Sequence, residues 1–330
     1  MKALRIAVVV GVVGVLAGCR KAASPREFRV GYLPNLTHAQ VLVGLQTGEF
    51  RKALTGVDLK VRAFNAGPSI IEAMFADEID LAYIGPGPAM NGFVKSHGAV
   101  RIVAGSAAGG SLLVVRGDAN IVRPEDFRGK RLCTPQLGNT QDIMARAWLV
   151  QNGLKPQERG GDVKVLPVAN ADQMTLFLKK EVDAAWAVEP WATLLVRNAG
   201  ARAFREEKDI LPEGMTSTVV VANARALRER PDDIKAWLKV HVELTRWVRE
   251  HPEEARRLVN QEIQRVTLKG IPEEVLRQAW GRVHFETEPA PRSLEWLAEH
   301  ARKNGFMRVD ELRDLSALYD LTYLKEVSGP

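Results

Sequence analysis

Two stretches of the chain, 103 residues apart, follow one pattern and restrict the fold more than any other feature. Residues 64–90 read FNAGPSIIEAMFADEIDLAYIGPGPAM, and residues 168–192 read VANADQMTLFLKKEVDAAWAVEPWA. When Asp80 is aligned with Asp183, Glu78 falls on Glu181 and Ala89 on Ala192. This offset is far longer than the period of a solenoid repeat. The alignment predicts two similar lobes in one chain, the alternative being a chance likeness of two helix–strand units.

The first stretch has the order loop, helix, strand, loop. Pro68 suits the first helical position, where its missing N–H costs nothing, and apolar residues then recur at helical spacing. Residues 79–84 form a short apolar strand, which the loop 85–88 ends because its glycines and prolines cannot continue a ladder. A corresponding loop at 189–191 follows the strand of the second stretch. Ligands of open α/β sheets bind at such strand ends, so the two loops predict a cleft between the lobes.

Strands and helices alternate along both halves of the chain. This order predicts an α/β protein of two lobes, each a mainly parallel sheet flanked by helices. Thr37 is expected to cap the first helix, which Gly48 ends. After the β-branched strand 216–222, amphipathic helices run nearly to the C-terminus, and His241 on one apolar stripe is expected to be structural.

Composition restricts the partners more than the fold. The 330 residues suffice for about two domains, and hydrophobic (46%) and charged (26%) fractions are those of a globular protein. Lys and Arg exceed Asp and Glu by 46 to 40, an excess that favours anionic partners only weakly. Because the chain has no dense basic run and no nucleic-acid motif, we expect no nucleic-acid partner.

The N-terminus reads as a targeting segment. Residues 1–18 combine a positive start with an apolar run that is too short to span a membrane. They end in Leu-Ala-Gly before Cys19, which resembles the lipobox of bacterial lipoproteins and implies cleavage there and a lipid on Cys19. Several acyl chains would anchor the protein stably, with 19–27 as the lipidated cysteine and tether. The alternative is an ordinary secretory signal. The other cysteine, Cys133, is expected to be a buried small hydrophobe.

Four loops are placed to face the predicted cleft: 34–38, 66–69, 85–88 and 137–140. Three of them lead into helices, whose first N–H groups are unpaired and carry the positive end of the helix dipole. Several helix starts aimed at one point bind an anion without any Arg or Lys. The side chains that add hydroxyl or amide donors are Thr37, Ser69, Asn139 and Thr140. The alternative for each of these residues by itself is ordinary helix capping.

Two residues at the end of the second repeat leave several roles open. Glu189 follows an apolar strand and is expected near the cleft, where it contacts the ligand, caps the next helix or holds the lobes together. An anionic ligand would repel its carboxylate, which favours the structural roles. Trp191 is a candidate for the cleft wall, and Tyr83 for the wall or the core.

The chain resembles the solute-binding proteins of ABC importers, in the branch for nitrate, sulfonates, taurine and thiamine precursors, and within it the aliphatic-sulfonate subgroup. The stretches that carry the resemblance are VGYLPNLTHAQVLVGLQTGEF, FNAGPSIIEAMFADEIDLAYIGPGPA, TPQLGNTQD and DAAWAVEPWA. The resemblance implies a type II periplasmic-binding-protein-like fold. Lobe 1 would comprise 28–112 and 216–330, and lobe 2 would comprise 113–215.

The resemblance also implies a function. A monomer anchored outside the cytoplasm would capture a small sulfonate-like anion, close around it and deliver it to a membrane permease with its cytoplasmic ATPase. No cofactor and no metal are expected. With Trp191 added from its position, the implied ligand-binding residues are Asn35, Thr37, His38, Gly67, Ser69, Gly85, Pro86, Asn139, Thr140, Glu189 and Trp191. His38 departs from the family pattern and either bonds an oxyanion or packs at its helix start.

Two other functions remain open. A binding protein for a heteroaromatic such as a pyrimidine precursor of thiamine would stack it on Trp191 and Tyr83 and pair it with Glu189. An enzyme on the same fold is a different class. The sequence shows no nucleophile–base pair, no metal-ligand spacing and no phosphate loop, and the lipobox also argues against a cytoplasmic enzyme.

Overall fold

The structure is a computed structural model that describes residues 26–210 and 214–329. The predicted leader, Cys19 and most of the tether lie outside the described residues. No helix in the described ranges has the length and apolar character needed to cross a membrane.

Eleven strands form two separate sheets within the described ranges. In chain order they are β1 (Arg26–Tyr32), β2 (Val57–Ala63), β3 (Leu81–Ile84), β4 (Val100–Gly109), β5 (Ser111–Arg116), β6 (Arg131–Thr134), β7 (Lys164–Pro167), β8 (Ala184–Val188), β9 (Ala201–Glu206), β10 (Thr216–Asn223) and β11 (Val283–Phe285). The first sheet has the order β11-β4-β10-β3-β1-β2 and the second the order β7-β6-β8-β5-β9. The two-lobed α/β class is confirmed.

Both sheets are mixed, which corrects the expectation of mainly parallel sheets. In the first sheet β1 pairs parallel with β2 and β3, but β10 and β11 enter antiparallel. In the second sheet β5 pairs antiparallel with both β8 and β9. The reason is that β5 and β10 are the strands by which the chain changes sheet. Each arrives from the other sheet without the crossover helix that a parallel neighbour requires.

The helices of the described ranges cover the sheets. They are α1 (Ala39–Thr47), α2 (Glu49–Ala53), α3 (Gly67–Phe75), α4 (Pro86–Lys95), α5 (Thr140–Gln151), α6 (Asn170–Leu178), α7 (Trp191–Asn198), α8 (Ala224–Glu229), α9 (Pro231–Glu250), α10 (Pro252–Thr267), α11 (Glu273–Trp280), α12 (Pro291–Lys303) and α13 (Thr322–Ser328).

Two local expectations about helix starts were wrong. Residues 86–88, expected as loop, form the first turn of α4, where Pro86 and Pro88 fit because N–H groups there have no intrahelical partner. Thr37 does not cap α1. It lies in a 3-10 turn (Leu36–His38), and α1 begins at Ala39 without a side-chain cap. Gly48 ends α1 in the left-handed conformation, as expected.

The internal repeat is present in three dimensions. Asp80 follows α3 and accepts the Arg29 backbone N–H at 2.9 Å and its guanidinium at 2.8 and 3.0 Å. Asp183 follows α6 and accepts the same groups of Arg131 at 2.9, 3.0 and 3.1 Å. Asp77 and Lys180, also 103 positions apart, both have positive φ, 61° and 58°. The two lobes therefore repeat the same helix–turn–strand unit.

The C-terminal region joins the two sheet units. α12 packs against both α4 and α5, and α11 packs against α7. Gln151 and His300 share a hydrogen bond of 3.2 Å, and Arg159 donates to the Lys303 carbonyl at 3.0 Å. The chain changes sheet at Gly109-Gly110, both with positive φ, and again before β10. The lobe boundaries placed after 112 and 215 remain predictions.

Two aromatic residues of the repeat belong to the core. Tyr83 and Trp186, aligned by the repeat, are both fully buried. The Tyr83 hydroxyl shares a 2.9 Å hydrogen bond with Nδ1 of the buried His241. Tyr83 is therefore a core residue and not part of a cleft wall. Cys133 is free and buried, and burial raises the pKa of its thiol.

Candidate ligand-binding site

Four helices begin around one cavity between the two sheet units. α3 and α4 belong to the first unit, and α5 and α6 to the second. Each has nine or more residues, and residues in or next to its first turn line the cavity. Unpaired backbone N–H groups and the positive ends of four helix dipoles therefore meet there.

The cavity is small and uncharged. Its water-accessible space is about 20 Å³, the room of one or two water molecules. The lining contains no Lys, Arg, Asp or Glu. It consists of Leu33, Asn35, Thr37, His38, Asn65, Ala66, Gly67, Gly85, Pro88, Pro135, Asn139, Thr140, Gln141, Asn170, Val188, Ser217 and Thr218. A molecule larger than this space can enter only if the lobes move apart.

Glycines allow the helix starts to approach closely. A Cβ added to Gly85 would lie 2.3 Å from Thr140 Oγ1, and one added to Gly87 would lie 2.9 Å from Ile143 Cδ1. A Cβ added to Gly67 would lie 2.7 Å from the Pro88 ring. The backbone N–H of Gly87 donates to Thr140 Oγ1 at 3.2 Å. Thr140 therefore bonds the opposite unit directly, while its own hydroxyl proton is available for a ligand.

Asn139 acts as a helix cap. Its Oδ1 accepts the Asp142 N–H at 2.8 Å, and its Nδ2 donates to Gln141 Oε1 at 3.1 Å. Asp142 in turn accepts from the Thr134 hydroxyl and the Gly138 N–H, both at 2.9 Å. Asn139 lines the cavity, and its amide oxygen and one of its two amide N–H groups are occupied at the first turn of α5.

His38 is a neutral group in the wall. It is fully buried, and desolvation lowers the pKa of its imidazole to about 3. Its Nδ1 accepts the Leu33 N–H at 3.3 Å, which places the remaining proton on Nε2. His38 can therefore donate a hydrogen bond to a ligand but brings no charge to it at neutral pH.

Glu189 lies outside the residues that line the cavity. Its Oε2 accepts the Thr193 N–H at 3.0 Å, and its Oε1 accepts the Thr193 hydroxyl at 2.8 Å and Arg282 Nη1 at 3.3 Å. Burial raises the pKa of its carboxyl. Of the roles left open for Glu189, the structure shows the helix cap and the link between the two units.

Three more predicted site residues also lie outside the lining. Trp191 donates its indole N–H to Asn35 Oδ1 at 3.0 Å, which joins α7 to the loop before α1. Ser69 faces Gln136 across the units at 3.5 Å. Pro86 is buried in the first turn of α4. The predicted residues that do line the cavity are Asn35, Thr37, His38, Gly67, Gly85, Asn139 and Thr140.

The prediction missed several polar lining residues, above all Asn170 and Thr218. The repeat contained the signal for Asn170, because that residue stands 103 positions after Gly67 at the corresponding helix start. Thr218 lies within β10, and the β-branched run around it indicates a strand but not which side chain faces a cleft. Its position depends on the return of the chain to the first sheet, which no local pattern encodes.

The arrangement is suited to binding. Neutral donors surround a small space, and no cluster of three or more His, Cys, Asp or Glu side chains within the described ranges is placed to hold a metal ion. Two lobes of mixed sheet and helix, with helix starts meeting in a cleft between them, define the periplasmic binding protein fold.

Comparison with known proteins agrees with this class. Residues 21–263 match the NMT1-like family, and the chain belongs to that family. The chain is 24% identical over 344 residues to a putative aliphatic sulfonates-binding protein of Bacillus subtilis, covering 97% of this chain and 95% of that protein. It is 25% identical over 229 residues to a putative binding protein of Brucella abortus, covering 69% and 68%.

The solved structures agree on the fold. The alkanesulfonate-binding protein SsuA of Xanthomonas axonopodis, bound to MOPS, superposes with a TM-score of 0.71 at 18% identity, covering 86% of this chain and 94% of that one. At this identity the likeness shows the fold alone. The family match and the curated relatives are what confirm the resemblance drawn from the sequence and the expectation of a binding protein and not an enzyme.

Proposed function

We propose that the chain is the solute-binding protein of an ABC importer and captures a small, singly charged oxyanion, a short aliphatic sulfonate above all. The observation that carries this proposal is the meeting of four helix N-termini at a cavity lined without Lys, Arg, Asp or Glu. Backbone N–H groups and helix dipoles stabilise one negative charge there. A dianion such as sulfate must give up the hydration of two charges to enter this neutral lining, against one for a sulfonate, and therefore has the larger desolvation cost.

The cellular setting is part of the same proposal. The protein works as a monomer outside the cytoplasm, held to the membrane by lipid on Cys19, and its closed form docks on a permease that carries a cytoplasmic ATPase. The lipobox-like residues before Cys19 support the anchor. Labelling of the wild type by a radioactive fatty acid, and its loss in Cys19→Ala, tests the anchor apart from the ligand.

The binding test compares ligands of one shape and different charge. The chain without its leader, residues 22–330, is titrated calorimetrically with methanesulfonate, neutral dimethyl sulfone and sulfate. We expect methanesulfonate to bind at least about tenfold tighter than either, a difference of about 1.4 kcal/mol or more. Dimethyl sulfone binding equally well would contradict an anion site.

A matched pair of threonine variants connects the binding to the cavity. Thr140→Val removes the hydroxyl between α4 and α5, whereas Thr175→Val removes an exposed hydroxyl on α6. We expect methanesulfonate to bind Thr140→Val about tenfold more weakly and Thr175→Val as it binds the wild type. Equal affinities in all three proteins would place the ligand elsewhere.

The structure gives the heteroaromatic alternative little support. That ligand would need Glu189, Trp191 and Tyr83 at the cavity. Glu189 is engaged by Thr193 and Arg282, Trp191 by Asn35, and Tyr83 is buried in the core. A pyrimidine in the same titration tests this alternative directly.

A further inference from the structure

Two buried oxygen atoms at the cavity have no hydrogen-bond partner. They are Oδ1 of Asn170, a residue that is 8% exposed, and Oγ1 of Thr218, which is 0% exposed. Both residues line the cavity. Because a buried polar atom is destabilising unless it is hydrogen-bonded, these two atoms are suited to bond a molecule that enters the cavity.

Three other polar side chains of the lining contrast with this pair. Asn35 Oδ1 accepts the Trp191 indole N–H, and Asn139 Oδ1 accepts the Asp142 N–H. The Ser217 hydroxyl, next to Thr218, donates to the Ala107 carbonyl at 3.1 Å. These groups are satisfied within the protein, whereas Asn170 and Thr218 offer oxygen atoms to whatever occupies the cavity.

The two residues belong to different halves of the molecule. Asn170 is the first residue of α6, which packs on the second sheet, and Thr218 lies in β10 of the first sheet. Neither serves a local purpose, since Asn170 caps no helix and the Thr218 hydroxyl bonds nothing. A ligand group that meets both oxygens would hold the two halves together.

We propose that the ligand is an oxyanion that also carries a neutral hydrogen-bond donor, and that Asn170 and Thr218 select for that donor. This inference rests on the proposed oxyanion site. The anionic end faces the helix N-termini, which supply only donors, and an O–H or uncharged N–H of the ligand donates to Asn170 Oδ1 and Thr218 Oγ1. A plain alkanesulfonate or nitrate has no such donor: it can accept the proton of the Thr218 hydroxyl, but it leaves Asn170 Oδ1 unsatisfied.

The donor is neutral because the cavity cannot compensate a positive charge. No Asp or Glu lines it, and His38 is uncharged at neutral pH with only a donor to offer. An ammonium group would be desolvated next to the N-terminal ends of four helices, whose dipoles repel it. A hydroxyl carries no such penalty. The substrate class is therefore a short hydroxylated oxyanion.

Three sulfonates of almost equal size test the proposal. Ethanesulfonate, 2-hydroxyethanesulfonate and 2-aminoethanesulfonate share one head group and differ only in the terminal CH₃, OH or NH₃⁺. Each is titrated calorimetrically into residues 22–330. We expect the hydroxyl compound to bind about tenfold or more tighter than ethanesulfonate, and also tighter than the ammonium compound.

Variants assign the selectivity to the two residues. Asn170→Ala and Thr218→Val should each bring the affinity ratio of the hydroxyl compound to ethanesulfonate close to one, largely by weakening the hydroxyl compound. The exposed Asn198, at the end of α7, provides the control Asn198→Ala, in which the ratio should stay at the wild-type value. Because the ratio compares two ligands on the same variant, any general effect of the substitution on folding cancels.

The outcomes separate this inference from the function on which it rests. If ethanesulfonate binds as tightly as the hydroxyl compound, or the ammonium compound binds tightest, the neutral-donor proposal is overturned while the oxyanion site stands. If the preference exists but survives in both variants, its assignment to Asn170 and Thr218 is overturned. If no oxyanion binds at all, the proposed function itself fails.

Discussion

The backbone N–H of Gly87 donates to the hydroxyl oxygen of Thr140 at 3.2 Å, from the first turn of α4 to the first residue of α5. This bond connects the two halves of the molecule at the cavity. It requires contact between two helix starts, which is possible because residues 85 and 87 have no side chain.

Gly85→Ala should weaken ligand binding while leaving the lobe that carries it intact. The backbone at Gly85 has φ −68° and ψ 151°, which alanine adopts freely, but its Cβ would lie 2.3 Å from Thr140 Oγ1. Closure is therefore obstructed, and we expect affinity to fall about tenfold or more with an almost unchanged melting temperature without ligand. Calorimetric titration with methanesulfonate measures the affinity.

Gly270→Ala is the matched control, because an added Cβ there comes no closer than 3.6 Å to another atom. Wild-type affinity in Gly85→Ala would show that the approach of α4 to α5 does not matter for binding.

Glu189→Gln should affect stability and not recognition. The glutamine keeps an acceptor for Thr193 but loses the ion pair with Arg282. We expect the free energy of unfolding in urea to fall by about 1–3 kcal/mol and ligand affinity to stay within about threefold of the wild type. Glu49→Gln, which alters an exposed pair with Lys52, serves as control. Unchanged stability with lost binding would instead make Glu189 a ligand contact.

Glu207 should give the protein an unusual dependence of stability on pH. Burial raises the pKa of its carboxyl from 4.5 to about 8, although the hydroxyl of Ser111, the first residue of β5, donates a hydrogen bond to it. Between these values the folded state holds a proton that the unfolded state has released. Stability therefore falls as pH rises from 4.5 to 8, by at most about 1.4 kcal/mol per pH unit from this group.

Glu207→Gln removes that contribution, so its unfolding free energy should fall less steeply than the wild type's between pH 5 and 8. Urea unfolding at pH 5, 6, 7 and 8 gives both slopes. Glu207 lies at a second cavity, separate from the ligand cavity, and the other charged or titratable groups there, Glu206, Lys208, Arg282 and His284, remain in both proteins and cancel in the comparison. Parallel curves would mean that Glu207 is ionised in the folded protein at neutral pH.

The two anchoring aspartates of the repeat should contribute similar amounts. Asp80→Asn and Asp183→Asn each remove a buried carboxylate that pairs with more than one arginine in its own lobe. We expect each to cost about 2–3 kcal/mol, below the value for fully buried pairs because Arg29 and Arg131 are partly exposed. Since the sites share no partner, the double variant should lose the sum, measured by urea unfolding. A clearly smaller loss would show that the lobes unfold independently.

Much of the fold followed from one alignment in the sequence. Asp80 and Asp183 stand at the same turn in both lobes because each binds the arginine of a neighbouring strand. The two aspartates are therefore visible in the sequence at equivalent positions, 103 residues apart. The direction of β5 and β10 was not visible in the sequence, because the antiparallel pairing of these strands depends on where the chain crosses between the sheets. The start of α4 was obscured since Gly and Pro, ordinarily helix breakers, fill its first turn.

From the residues themselves, the site was predictable mainly where a polar side chain stands at a helix start. Asn139 and Thr140 were proposed in that way, Gly67 and Gly85 came from the family resemblance, and Asn170 could have been proposed from Gly67 through the repeat. Glu189 and Trp191 were placed near the cleft by chain position, but their partners Arg282 and Asn35 are distant in sequence. Because they bond these distant partners, Glu189 and Trp191 link the lobes and are no longer candidates for ligand contact.

The four helix starts have a consequence for the empty protein. Each carries about half a positive charge, and closure brings two from one lobe toward two from the other. Without an occupant these like charges repel, so the closed form stores electrostatic work that grows as the gap narrows. With the proposed oxyanion bound, the helix starts are attracted to its negative charge, so closure becomes electrostatically favourable. Occupancy then sets which shape the protein holds, and raised salt concentration should make the empty protein close more readily by screening the repulsion.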